Sequence, residues 1–319
     1  MFQISRRDLV LSSVGAGLAF GLDRQVSFIG AAHAQRAAES FKYKVGDIEV
    51  FSLHDGSTER NIDAAWVKNA ALDDVKKALT AANMGPDKIQ NPFTPTAVRV
   101  GGRVILFDVG FGANGAPTVG KLQDNMKAAG LDPAAVSAVV ISHFHGDHIS
   151  GLWAKETSEQ IYPNAEIWMP EVDYKLVTDP SLIEKAPEGQ RPMLRRIQST
   201  FPTWKNIKQY NDGAEIAPGV RALATPGHTI GHMAFHVSSG GQQLFIQGDV
   251  AGVPAVFVKN PTWASMFDAD GPKAAETRKA LYDRIIAEKA MVAGYHFYFP
   301  NVGTISKDGD GYAFEAVKG

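Results

Sequence analysis

The 319-residue chain has no cysteine. That absence excludes disulfides, thiolate nucleophiles and thiolate-ligated metals, and leaves histidine and carboxylate as the strong metal ligands available. An excess of charge of either sign is also missing, with 32 Lys and Arg set against 34 Asp and Glu for a net charge of −2. No broad positive field is therefore expected to draw nucleic acid or anionic lipid. The expected partner is a small-molecule substrate, without nucleic acid and without stable membrane insertion, and a homodimer is left open. What is present, 45% hydrophobic and 21% charged residues, is the composition of a chain that can bury a core.

The N-terminus reads as an address and not as part of the fold. Ser5-Arg6-Arg7-Asp8-Leu9 precedes an apolar run from Leu9 to Leu22, and Ala32-His33-Ala34 follows before Gln35. The run is shorter than the ~20 residues a membrane span needs, whereas a basic start and a small-x-small end fit a cleaved export signal. Adjacent arginines point to the twin-arginine route. The expectation is a signal over residues 1–34 and a single mature domain over 35–319, periplasmic or secreted.

In the mature chain the apolar alternation from Phe41 through Phe51 reads as strand, ending at Asp55-Gly56. Leu72 to Met84 reads as a helix with Asp73 as N-cap, and Ala97–Val100, Gly101-Gly102 and Val104–Phe107 as a hairpin. Lys121 to Ala129 is expected to be a surface helix stopped by Gly130, and Ala138 to Ile141 a strand buried on both faces. Further strands are expected at 165–169, 220–224, 233–237 and 243–246, and helices at 171–177 and 273–290. Residues 185–205, with Pro187, Pro192 and Pro202 and the basic Arg191, Arg195 and Arg196, read equally as a lid-like excursion or a plain surface loop.

Directly after the buried strand comes Ser142-His143-Phe144-His145-Gly146-Asp147-His148, which packs three of the chain's nine histidines into residues 143–148. In an extended segment side chains two apart share a face, so His143 and His145 can hold one metal. A turn into helix swings Asp147 and His148 toward a second position, and the nitrogen and oxygen donor set suits zinc. Further donors follow other element ends: His228 in Thr225-Pro226-Gly227-His228-Thr229, Asp249 after Gly248, and His296 in Gly294-Tyr295-His296.

This pattern, HxHxDH followed by His228, Asp249 and His296 with Asp108 upstream, resembles the metallo-β-lactamase superfamily of metal-dependent hydrolases. The resemblance implies an α+β, four-layer αββα sandwich. It places His143, His145 and His228 on one zinc, Asp147, His148 and His296 on a second, and Asp249 between the two. Asp147 and Asp249 are then also the catalytic carboxylates, and Asp108 orients a histidine ligand. Within the superfamily the chain looks closest to the exported organophosphate hydrolases such as methyl parathion hydrolase, with the acyl-homoserine lactonases a step away. The implied activity is hydrolysis of small neutral esters, lactones or phosphotriesters by a hydroxide bridging two zinc ions, other divalent metals remaining open. β-Lactam hydrolysis, glyoxalase-type thioester hydrolysis and a metal-binding protein without turnover are the alternatives. Lactonases carry a tyrosine three residues after the bridging aspartate, where this chain has Gly252. Tyr295 or Tyr298 is the candidate replacement. The substrate pocket is expected to take Phe257, Trp263 and Phe267 from the segment that leaves Asp249. His54, His232 and His236 are expected to stand apart from the metals.

Overall fold

The computed structural model describes residues 39–318. The export signal expected over residues 1–34 lies outside the described residues. Strands β1 (Ser40–Val45) and β2 (Ile48–Leu53) begin the described residues, and β3 (Gly56–Asn61) pairs with β4 (Lys88–Phe93) in a two-stranded ribbon. The helix α1 (Leu72–Ala81) lies between those two strands in sequence. Next come β5 (Thr96–Val100), β6 (Arg103–Phe107), helix α2 (Leu122–Ala128) and β7 (Val136–Val140). A short helix α3 (Gly146–Ile149) precedes β8 (Glu166–Pro170), α4 (Glu171–Thr178), α5 (Leu182–Lys185), α6 (Arg191–Thr200) and β9 (Ile207–Tyr210). The remainder is β10 (Glu215–Ala217), β11 (Val220–Ala224), β12 (Met233–Ser239), β13 (Gln242–Ile246), α7 (Gly271–Ala287), β14 (Met291–Ala293), β15 (Val302–Asp308) and β16 (Gly311–Ala316).

Two seven-stranded mixed sheets result, in the orders β1-β2-β5-β6-β7-β8-β9 and β10-β11-β12-β13-β14-β15-β16. Alternation along each strand sends one set of side chains inward. Val50, Val98, Ile105 and Val140 of the first sheet meet Val220, Phe235, Val237 and Leu244 of the second in one buried cluster. The outer face of the first sheet packs on helices through Leu122, Met126, Leu194 and Ile197. The outer face of the second packs on α7 and α1 through Leu281, Ile285, Val75 and Leu79. The architecture is the expected α+β αββα sandwich.

Several local expectations need adjustment. The first helix stops at Ala81, and its N-cap is Ala71, without a side-chain cap. Asp73 instead sits in the first turn, where its charge faces the positive end of the helix dipole. Residues 185–205 hold helix α6, not a loop, because Leu194, Ile197 and Phe201 bury one face against the first sheet's outer cluster. The long helix begins at Gly271, capped by the Asp270 carboxylate accepting from Lys273 N at 3.0 Å, and ends at Ala287.

Parallel pairing positions the site. β6 runs parallel to β7 and β13 runs parallel to β14, so each pair ends on the same rim. Asp108 and residues 141–149 leave β6 and β7 side by side, and the loops carrying Asp249 and His296 leave β13 and β14 side by side.

Candidate metal centre

His143, His145, His228 and Asp249 bring one donor atom each within 4.8 Å of one another, and Asp147, His148, Asp249 and His296 do the same. The structure thus assembles all seven expected residues into two quartets that share Asp249. His145 Nδ1 faces His143 Nε2 at 3.0 Å and His228 Nε2 at 2.9 Å. One proton can satisfy two of those nitrogens, whereas a cation can satisfy the lone pairs of all three. In the second quartet His148 Nε2 lies 3.4 Å from both Asp147 Oδ2 and Asp249 Oδ1, and His296 Nε2 lies 3.3 Å from Asp147 Oδ2. His148 Nε2 and Asp249 Oδ1 are buried and have no hydrogen-bond partner. Orphaned buried polar atoms are costly, and a divalent ion facing both would satisfy them, so these residues fit the expected metals.

Each ring is set by what its far nitrogen meets. His148 Nδ1 bonds Asp108 Oδ2 at 2.8 Å, and the same carboxylate accepts from Ser142 N and Ser142 Oγ, both at 2.8 Å. Ser142 Oγ also lies 3.0 Å from His143 Nδ1. His228 Nδ1 bonds Asp268 Oδ1 at 3.0 Å, and His296 Nδ1 donates to the Pro92 carbonyl at 2.8 Å. The loop that bears His228 is tied to α4, where the buried Asp173 accepts from Thr229 Oγ1 at 2.6 Å and from Gly231 N at 2.7 Å.

Electrostatics separates the rings. Burial holds His143 well below the usual imidazole range, with the neighbouring His148 and His145 adding to the effect, and burial brings His145 down to about 4. Burial also opposes charge on His296, but Asp249 and Asp147 outweigh it and lift the ring to about 10. Against the same opposition, Asp249 and Asp268 raise His228, while Asp249, Asp147 and Asp108 raise His148. Burial pushes Asp147 and Asp249 up, and the adjoining His148 and His296 more than reverse it, holding both carboxyls low. Two ionised carboxylates among these rings make a site where divalent charge replaces protons.

Of the pocket residues expected from sequence, Phe257 and Phe267 line the cleft beside the quartets, together with Trp66, Asn91, Gly252, Arg60 and Arg278. Trp263, Tyr295 and Tyr298 are not among the lining residues. Trp263 packs into the cluster under α7, where its carbonyl accepts from Arg278 Nη1 at 2.9 Å. The Tyr295 ring lies 3.9 Å from the His148 ring, and its hydroxyl donates to the Asp147 carbonyl at 2.6 Å. Tyr295 therefore braces the second quartet instead of facing substrate. Tyr298 is 38% exposed. Gly252 does face the cleft, and a Cβ there would only touch Phe257 at 3.7 Å and His296 Cβ at 4.0 Å.

Sequence reading missed Asp268, Ser142 and the role of His232. Apart from the quartets as expected, His232 is fully buried and its Nε2 accepts the Asp249 backbone N–H at 3.0 Å, while Nδ1 meets Thr225 Oγ1 at 2.8 Å. Burial, aided by the nearby His228, keeps it well below the usual range and so neutral, able to accept. Gly248, at φ +54°, passes so close that a Cβ would lie 2.9 Å from His232 Nε2. A positive φ and that contact both require glycine here.

A four-layer sandwich with clustered histidine and carboxylate donors on one rim defines a metal-dependent hydrolase class. Residues 94–296, more than half the chain, match the Metallo-beta-lactamase superfamily, and the chain belongs to that superfamily. Among solved structures, it is similar to AidC, a dizinc quorum-quenching lactonase, at TM-score 0.82 and 21% identity over 88% of this chain and 98% of that one. It is also similar to the hydrolase AbOPH, at TM-score 0.80 and 24% identity with the same coverage. Among curated proteins, Ribonuclease Z of Pyrococcus furiosus is 41% identical over 58 residues, 18% of this chain and 16% of its own length. The Bacillus subtilis protein YobT is 34% identical over 98 residues, 30% of this chain and 39% of its own length. The chain thus spans well under half the length of these curated relatives.

Proposed function

We propose that the protein is an exported dinuclear zinc hydrolase of small esters, lactones or phosphotriesters. The observation that carries this reading is the pair of donor quartets sharing Asp249, with His148 Nε2 and Asp249 Oδ1 buried and otherwise unpartnered. His143, His145, His228 and Asp249 would hold one ion, and Asp147, His148, His296 and Asp249 the other. Ions so held supply Lewis acidity toward a carbonyl or phosphoryl oxygen and activate water near neutral pH.

The chain's own groups do the rest. Asp108, Asp268 and the Pro92 carbonyl accept from the far ring nitrogens, which keeps the inward nitrogens of His148, His228 and His296 free as lone-pair donors. His232 and Tyr295 fix the backbones of Asp249 and Asp147, so the two carboxylates stay aimed while charge changes around them. Trp66, Phe257 and Phe267 supply apolar walls that exclude water and strengthen polar interactions within the cleft. Lactone hydrolysis draws support from the likeness to AidC, and the related ester and phosphoryl reactions need the same donor arrangement.

Elemental analysis of the purified mature chain, with rates on a paraoxon-type triester, a homoserine lactone, an aryl ester and a cephalosporin, tests the reading. About two zinc per chain and turnover that is lost on chelation and restored by metal are expected; one iron and no hydrolysis would overturn it. Export draws support from Arg6-Arg7, the apolar run that follows and the Ala32-His33-Ala34 end. Protein recovered from the periplasm should begin at Gln35 on N-terminal sequencing.

A further inference from the structure

One wall of the cleft carries a cation that the donor quartets do not use. Arg60 stands on β3, in the ribbon outside both main sheets. Its guanidinium carbon lies 5.5 Å from the centre of the Trp66 ring and 5.1 Å from that of Phe267. Nη2 donates to the Met266 thioether, and Nε is buried without a hydrogen-bond partner. A thioether is a weak acceptor, and among the described residues no oxygen accepts from this guanidinium. Burial disfavours its charge, and Asp63 supports it only through space.

An arginine side chain offers five N–H donors in a fixed plane. Stacked against two aromatic rings it has already lost much of its freedom, so the further entropy lost on engaging a ligand is small. Leaving such a charged donor set unmatched is unfavourable, and a planar acceptor matches it best. The same cleft is lined by Asn91, from the paired strand β4, and by His228, Asp249 and His296. A substrate lying between the quartets and the ribbon would therefore meet its reacting carbonyl at one end and Arg60 at the other.

We propose that Arg60 anchors a carboxylate on the substrate, so that the cleft selects esters or lactones bearing a second, anionic carboxylate on the acyl side. The proposal rests on the hydrolase reading and narrows it. A neutral ester leaves the guanidinium unpaired, whereas a carboxylate accepts from two of its N–H groups at once. Asn91 adds amide donors on the same wall.

The test compares p-nitrophenyl pentanoate with the mono-p-nitrophenyl esters of succinate, glutarate and adipate, which share one leaving group. The zinc-loaded protein should favour at least one acidic ester over pentanoate by tenfold or more in kcat/KM. Arg60→Met should bring that ratio to about one through a rise in KM for the acidic ester, and Arg60→Lys should keep part of the preference. No preference in the wild type, or a ratio that survives Arg60→Met, overturns the proposal. A parallel fall for both esters with the ratio preserved does so too, and assigns Arg60 to packing. If the zinc-loaded wild type turns over none of the esters, the hydrolase reading fails for this class. The anchor is then judged by calorimetric binding of glutarate to metal-free protein. At least tenfold weaker binding by Arg60→Met supports it; equal binding, or none to either protein, overturns it.

Discussion

Across the two quartets the histidines are braced by carboxylate, carbonyl or hydroxyl groups, and the consequences differ residue by residue. Asp268 is, among the described residues, the one carboxylate bonded to His228 Nδ1, and it also accepts from Ser265 N at 2.8 Å. Asp268→Asn should keep the shape and lose the charge, lowering zinc affinity about 10- to 100-fold; competition against a chromogenic chelator measures it, and unchanged affinity would contradict the role. Tyr295→Phe should keep the stacking on His148 and strand the Asp147 carbonyl. A loss of about 1–3 kcal/mol is expected in denaturant unfolding, while Tyr298→Phe, at an exposed position, should leave the midpoint in place. The donors themselves were legible in sequence because they cluster at 143–148 and follow Gly-rich turns. Asp268 was not, since 40 positions separate it from His228 and only folding pairs them. His232 was equally hidden, because its part is played against a backbone N–H that leaves no trace in residue type.

At the scale of elements, alternation and turn chemistry reveal the strands that are buried and long. The Gly101-Gly102 hairpin, with both residues at positive φ, and the β7 strand leading into His143 are cases in point. The ribbon β3–β4 escaped because Gly56–Asn61 has only one buried position and mostly polar residues, so no hydrophobic period marks it. That ribbon nevertheless carries Pro92, the acceptor for His296, and Arg60. The hairpin β15–β16 escaped for a similar reason, its outer half being exposed. Helix α7 shows what an element does beyond packing. Its Arg278 is 1% exposed and donates to the carbonyls of Val250, Pro261 and Trp263 at 2.7, 2.9 and 2.9 Å, clamping the segment between Asp249 and Asp268. Arg278→Met should leave those carbonyls unpaired and the buried Asp268, 3.7 Å from Arg278 Nη2, without its cation, destabilising the protein by about 3–5 kcal/mol. Limited proteolysis should then cut first within residues 250–268, and a wild-type cleavage pattern would remove the clamp from the account.

For the whole molecule, charge and stability are linked through the rim. In metal-free protein His296 is lifted to about 10, and His148 and His228 are raised as well. Groups whose folded pKa exceeds the unfolded value of about 6.5 stabilise fully below that pH and lose the contribution as pH climbs through the folded value. The metal-free chain should therefore melt at progressively lower temperature from pH 7 to 10, whereas zinc, which needs neutral rings, should flatten that decline. A flat melting profile in the metal-free chain would refute the linkage. Saturating zinc at a thousandfold excess over Kd should add about 4 kcal/mol per site. A further consequence lies in how the donors are divided between the sheets. Residues 143–148 leave the first sheet, whereas His228, Asp249 and His296 leave the second, so neither half of the sandwich carries a complete quartet. Metal capture by such quartets would act as a folding checkpoint: a nascent chain with one sheet formed would have no tight site, and a loaded chain would certify that both halves have docked.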